Sequence, residues 1–155
     1  MSSEILSRAA YNGTKNFCQN DIQTANATGF GAAADDYAER GIDLNEQLIM
    51  NKPATYFFRM NGEAMQEAGI YPGDVLVVDR SLSAASDKII VALVNGELLV
   101  RLYKQSLDSR WLQPANKRFG SLTIEKHTSF ISWGVVTCVI HIIDPELIAF
   151  NASKK

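Results

Sequence analysis

Between Arg59 and Asp74 the chain reads RMNGEAMQEAGIYPGD. A strand end, a glycine turn and a short helical run in that order resemble the approach to a catalytic nucleophile, where a tight turn presents one side chain. Here the residue in that setting is Ala64, whose methyl group cannot attack a carbonyl. No serine or threonine occurs between Arg59 and Arg80, so no neighbouring hydroxyl offers a substitute.

Other chemistries have less to build on. The two histidines, His127 and His141, stand in no HxxH pattern, and the two cysteines, Cys18 and Cys138, form no CxxC. No structural metal site and no cofactor is expected from such spacing. The sequence also lacks a GxxxxGK phosphate loop. Arg101, Tyr103, Lys104, Arg110 and Trp111 interleave charge with aromatic rings, which could stack on single-stranded nucleic acid. The favoured reading is plainer, solvated strand faces with one aromatic in the core. His127 and His141 are read as polar or structural residues, and Met65 as a packing residue.

The elements that must position these residues are mostly strands. Apolar or alternating runs at 54–60, 74–79, 88–94, 97–103, 110–114, 121–124 and 131–143 give seven short strands and an all-β body. Asn95-Gly96 lies between two of them, and both residues tolerate the positive φ of a type I′ turn, so residues 88–103 read as one hairpin. GEAMQEAG suggests a helix of about two turns between its flanking glycines. Leu44, Leu48 and Ile49 suggest a second small helix, stopped by Pro53. Phe57, Leu76, Val78, Ile90, Ala92, Leu98, Val100, Val135, Val139 and Ile140 are expected to supply much of the core by strand alternation. Residues 1–33, rich in Ser, Asn, Thr, Gln, Ala and Gly, have apolar residues too scattered to define a face and read as a flexible arm.

Length and composition agree. A chain of 155 residues, 46% hydrophobic and 21% charged, suits one globular domain. The net charge of −2 gives no overall attraction to nucleic acid or to an anionic membrane. No apolar run is long enough to span a bilayer and the first residues lack a secretory signal, so a cytoplasmic protein is expected. Cys138, inside an apolar strand pattern, reads as a free buried thiol.

The runs GFGAAADDYAERGIDLNEQLI, PATYFFRMNGEAMQEAGIYPGDVLVVDR, NGELLVRLY, WLQPAN and WGVVTCVIH resemble, in the same order, the UmuD branch of the LexA/UmuD self-cleaving peptidase family. The match extends from Gly29 to about His141. It implies a mainly β, LexA/UmuD C-terminal-like peptidase fold with one or two short helices and an N-terminal arm. On that template residues 1–33 are the arm with the cleavage region, 34–145 the UmuD-like β domain and 146–155 a C-terminal tail.

The resemblance further implies a homodimer and a serine-lysine dyad that cuts the protein's own arm when a RecA filament is present, as part of the SOS response to DNA damage. In UmuD the shortened form serves a translesion polymerase with UmuC as catalytic partner. In such a dyad a desolvated neutral lysine takes the serine proton. The family serine falls at Ala64, followed by Met65, and the family lysine at Arg101. A guanidinium holds its proton at physiological pH and cannot be the general base. Lys104, three residues along an extended strand, points to the other face. The cut bond corresponds to Thr28-Gly29, followed by Phe30, where the family usually has alanine or cysteine before glycine.

Three departures on three parts of one reaction point to a pseudo-peptidase that works by binding itself, a UmuD-like relative or a UmuC-like DNA polymerase. Met65 and Phe30 are its expected binding residues. The alternative is a self-cleaving LexA/UmuD-type serine peptidase whose serine was replaced by alanine through engineering, which accounts for Ala64 but not for Arg101 or Thr28. Arg101 is expected to reach the groove mouth and water, or else to pair with Glu63 or Glu97. Sequence-specific DNA binding is not expected, because the residues before Gly29 are too few for a helix-turn-helix domain.

Overall fold

The computed structural model describes the backbone of Ile5–Ala10 and residues 41 to 154. Among the described residues the strands are β1 (Ile5–Ala10), β2 (Thr55–Met60), β3 (Val75–Asp79), β4 (Ile89–Val94), β5 (Glu97–Gln105), β6 (Arg110–Gln113), β7 (Leu122–Thr123) and β8 (Phe130–Ile140). They form one 8-stranded sheet in the order β1-β2-β3-β8-β4-β5-β6-β7, with every pair antiparallel. Helices α1 (Leu44–Leu48) and α2 (Pro145–Ser153) lie outside it. The mainly β architecture with two short helices agrees with the sequence reading.

Local chemistry sets the boundaries. Asp43 caps α1, its carboxylate accepting from the Asn45 amide at 2.9 Å. Pro53 enters a single 3-10 turn, Lys52–Ala54, whose missing amide donor costs nothing at that position. Asn95 and Gly96 adopt φ of 49° and 85° and turn β4 directly into β5. The Asn95 carboxamide also accepts from the Ser129 amide at 3.1 Å, tying that turn to the start of β8.

Strand β8 joins the two halves of the sheet. Its residues Phe130 to Val135 pair with β4, and Val135 to Ile140 with β3. Register shifts opposite Val91/Ala92 and Val77/Val78 leave Trp133 and Thr137 as extra residues, and such bulges bend a strand and increase its twist. At the bend only glycine fits. A Cβ on Gly134 would stand 2.7 Å from Val78 Cγ1 and 3.2 Å from the Asp79 carbonyl oxygen.

Two apolar clusters fill the interior. Phe58, Met60, Met65, Ile70, Leu76, Val78, Val91, Val100 and Trp133 make the first, and Ile90, Ala92, Val94, Tyr103, Leu112, Ile124 and Val135 the second. Alternation along β4 sends Val91 to one and Ile90 and Ala92 to the other, so this strand is buried on both faces. The indole of Trp133 meets the rings of Tyr56 and Phe58 edge-on, at 5.0 Å and 4.8 Å.

Several expectations are corrected. The core phenylalanine of β2 is Phe58, with Phe57 only half-buried, because the edge-on contact with Trp133 selects Phe58. Leu98 and Val139 are half-buried against the first cluster, and Ile140 is exposed. The two-turn helix after Gly62 is one 3-10 turn, Gln66–Ala68, ended by Gly69 at φ 84°. Within the arm, Ile5–Ala10 is a strand paired with β2. The C-terminal tail holds α2, started by the Asp144 cap and Pro145, with Leu147, Ile148 and Phe150 exposed. No helix among the described residues is long and apolar enough to cross a membrane.

Candidate functional site

The turn that carries Ala64 is fixed mainly through its backbone. Met60, the last residue of β2, donates to the Asp74 carbonyl at 2.8 Å and accepts from the Gly73 amide at 2.7 Å, closing the loop 61–72 at its base. Inside the loop the Ile70 amide donates to the Met65 carbonyl at 3.1 Å. Ala64 and Met65 have no exposed surface, and Met65 belongs to the first cluster together with Val100 of β5. Met65 is therefore a packing residue, and with no exposed surface it does not offer the binding contact that was also expected of it.

A second segment clasps this turn from outside. The Ala115 amide donates to the Ala64 carbonyl at 2.8 Å, and the Ala115 carbonyl accepts from the Glu67 amide at 2.8 Å. Beside them the Asn116 carboxamide donates to the Glu63 carbonyl at 2.7 Å. Sequence reasoning missed Ala115 and Asn116, whose WLQPAN motif carried only a resemblance and no chemistry of its own. Glu63 directs its carboxylate to Arg118 at 4.0 Å, an exposed pair that adds little stability.

Arg101 approaches the same segment from β5. It stands opposite Ile90 of β4, on the strand face of Leu99 and Tyr103, while Val100 faces Met65's cluster. Its guanidinium donates to the Val100 carbonyl at 2.8 Å and lies 5.9 Å from the Phe119 ring. The side chain is buried, 8% exposed, so the expected exit to water is not taken. Backbone acceptance and an aromatic face take the place of hydration for part of the guanidinium. Ala64 and Arg101 thus border one segment, 115–119, from two sides.

The other candidates fall elsewhere. Lys104 forms an ion pair with Asp87 on the opposite face of β5 from Arg101. Tyr103 is buried with its ring stacked on Phe130 at 6.3 Å, and Arg110 lies 6.0 Å from the same ring, so these residues form no continuous stacking platform. Cys138 is a free, half-buried thiol, and Cys18 lies outside the described residues. Thr28, Gly29 and Phe30 also lie outside them. Among the described residues no three His, Cys, Asp or Glu side chains are grouped to hold a metal ion. A polar hollow of about 340 Å³ lies at the β5–β6 turn, between Ser106, Arg110 and Lys126, away from Ala64.

His127 is exposed, whereas His141 is anchored. Its Nδ1 is hydrogen-bonded to the carboxylate of buried Asp74, whose other oxygen accepts from the Tyr71 amide at 2.8 Å. The Tyr71 ring leans on the imidazole at 5.5 Å. This cluster pins the end of β8 to the loop that leaves the Ala64 turn. Nothing in the local sequence signals it, since the two partners are 67 residues apart.

Comparison with known proteins agrees with this frame. A family model described as Peptidase S24-like matches residues 22–137. Protein MucA of Salmonella typhimurium is 38% identical over 113 residues, covering 72% of this chain and 76% of that protein. Protein ImpA of Escherichia coli is 40% identical over 116 residues, 73% of this chain and 77% of its own length. The LexA repressor of Acidithiobacillus ferrooxidans is 32% identical over 119 residues, 75% of this chain and 58% of the repressor. With the sheet, the Ala64 turn and the Arg101 strand in the order that the resemblance requires, the chain belongs to the Peptidase S24-like family, as a UmuD-like member of the LexA/UmuD group.

Proposed function

We propose that this protein is a pseudo-peptidase of the SOS response to DNA damage, acting as a homodimer that binds a UmuC-like translesion polymerase or an active UmuD-like relative. Membership of a family with MucA-like and ImpA-like relatives supports the general role. The observation that carries the loss of proteolysis is the pair Ala64 and Arg101. One supplies no nucleophile, and the other is a guanidinium with no general-base capacity at the family's lysine position. The frame around them is intact: the turn is buried, clasped by Ala115 and Asn116, and packed through Met65. Retention of shape without a reactive group suits recognition of an extended peptide by main-chain pairing. In this reading Thr28, Gly29 and Phe30 are ligand rather than substrate, and a RecA filament has no cut to promote.

The experiment restores the dyad stepwise. Ala64→Ser, and Ala64→Ser with Arg101→Lys, are incubated at alkaline pH with and without a RecA filament, and products are sequenced for a new terminus at Gly29. The expected outcome is no cleavage by the single variant. Cleavage by Ala64→Ser alone would establish the enzyme reading, with Ala64 as its one lesion. Co-purification from damaged cells tests the binding half, and recovery of neither a polymerase subunit nor a UmuD-like relative would remove its basis.

A further inference from the structure

Helix α2 stands clear of the body that carries it. Every residue from Ile143 to Phe150 is exposed, so among the described residues no strand or loop covers this helix. A helix of nine residues is marginal in water by itself, because most helical stability comes from burying one face. Its ends are nonetheless well made. The Asp144 carboxylate accepts from the Glu146 amide at 3.0 Å, and the Lys154 amide donates to the Asn151 carbonyl at 3.3 Å. What the helix lacks is a surface to pack on. It also lies beyond residues 22–137, the segment that the family model matches, so family membership assigns it no role.

The side chains of α2 are sorted by face. Asp144, Leu147 or Ile148, Asn151 and Lys154 follow one another at steps of three or four, which a helical turn of about 3.6 residues brings to one side, with Phe150 beside them. The opposite side carries Pro145, Ala149 and Ala152 and no large apolar group. Leu147, Ile148 and Phe150 are 45%, 50% and 53% exposed and make one apolar patch. An acid stands at its start and a base at its end. The Lys154 ammonium lies 4.2 Å from the centroid of the Phe150 ring, which places it against the patch.

This order is complementary to its own reverse. When two copies of the helix lie antiparallel with Ala149 at the midpoint, Asp144 of one comes level with Lys154 of the other, and Ile148 with Phe150. Parallel packing would instead set Asp144 beside Asp144 and Lys154 beside Lys154. We propose that the Leu147, Ile148 and Phe150 face of α2 docks on the same face of a second copy of this chain, the two helices antiparallel about a two-fold axis. Charge order selects this occupant, since a lipid surface favours a basic polar rim and the start of α2 is acidic. Two helices this short bury less than the roughly 1,200 Å² of a stable interface, so the contact fixes how two copies meet and does not hold them alone. It therefore rests on the homodimer reading above, but not on the loss of proteolysis.

Cross-linking of the full chain, with Cys18→Ser and Cys138→Ser as background, tests it. Chains carrying Leu147→Cys are mixed with chains carrying Asn151→Cys, oxidised, and mapped by mass spectrometry. Both positions lie on the docking face, and antiparallel helices set each opposite the other, so links between 147 and 151 should outnumber self-links at least about fivefold. A majority of 147–147 or 151–151 links, or no link while sedimentation shows a dimer, overturns the helix contact and leaves the homodimer standing. A monomer at every concentration removes both. The charged ends are tested separately, with no cysteine introduced. Asp144→Asn keeps the helix cap but not the charge, and Lys154→Gln removes the other. Each should weaken self-association about twofold to fivefold at low salt, and the difference should vanish in high salt. Association constants unchanged in both variants overturn the antiparallel pairing.

Discussion

The Asn116 carboxamide donates to the Glu63 carbonyl at 2.7 Å, next to the 2.8 Å bond from the Ala115 amide to the Ala64 carbonyl. The turn at Ala64 is thereby held by a segment 53 residues away, whatever side chain the turn carries. Backbone clasping of this kind fixes the turn without calling on the side chain at position 64. It also makes Asn116 a lever on the site. Asn116→Ala should lower stability by about 1 kcal/mol through the lost hydrogen bond, measured by urea denaturation. Amide exchange at Glu67 should rise in the same variant, and an unaltered rate there would separate Asn116 from the turn.

Gly134 and Gly120 make a matched pair. A methyl group at Gly134 meets Val78 at 2.7 Å and the Asp79 backbone at 3.2 Å, while one at Gly120 meets nothing within 4 Å. Gly134→Ala should cost about 1 to 3 kcal/mol by overpacking the bend of β8, and Gly120→Ala should be close to neutral. Thermal melts of both variants check the contrast. Equal midpoints would mean that β8 bends without needing the close approach.

Gly96 stands at φ 85° in open space, so its constraint is conformational and not steric. Gly96→Ala should destabilise by about 1 to 2 kcal/mol, the cost of placing a Cβ in the left-handed region, with Gly96→Asn losing less. Denaturant midpoints for the two variants test the order.

Asp74 supports two elements at once, the Tyr71 amide and His141. Asp74→Ala leaves that part-buried amide without its side-chain acceptor and should cost about 1 to 3 kcal/mol. His141→Ala, at a half-exposed ring, should cost less. A larger loss for His141→Ala in chemical denaturation would make the histidine, and not the buried carboxylate, the anchor of this corner.

What could be read from the sequence divides by range. The Asn95-Gly96 hairpin, the strands at 74–79 and 97–103 and the small helix α1 depend on local pattern, and all are present. The segment ILSRAA carries little strand propensity, and its partner lies about fifty residues on, so β1 was not legible. GEAMQEAG has helix-forming residues, yet the bonds to Ala115 and the left-handed Gly69 stop it after one 3-10 turn. For the candidate site, only the resemblance drew attention to Ala64 and Arg101, while the clasp, the Phe119 ring and the Asp74–His141 anchor are tertiary and leave no local spacing to find.

The same limit governs TYFFRM, where consecutive apolar residues hide the phase of alternation and Phe57 and Phe58 look equivalent. Tertiary contact separates them, since Phe58 is 1% exposed and meets Trp133 edge-on at 4.8 Å. Phe58→Ala should therefore cost about 3 to 5 kcal/mol and Phe57→Ala distinctly less. Tryptophan emission should report Phe58→Ala alone, because removing that ring opens space beside the indole. If Phe57→Ala were as costly, or shifted the emission as far, β2 would present its other face to the core. Every register partner of β2, including the one for Ile5–Ala10, would then have to move by one residue.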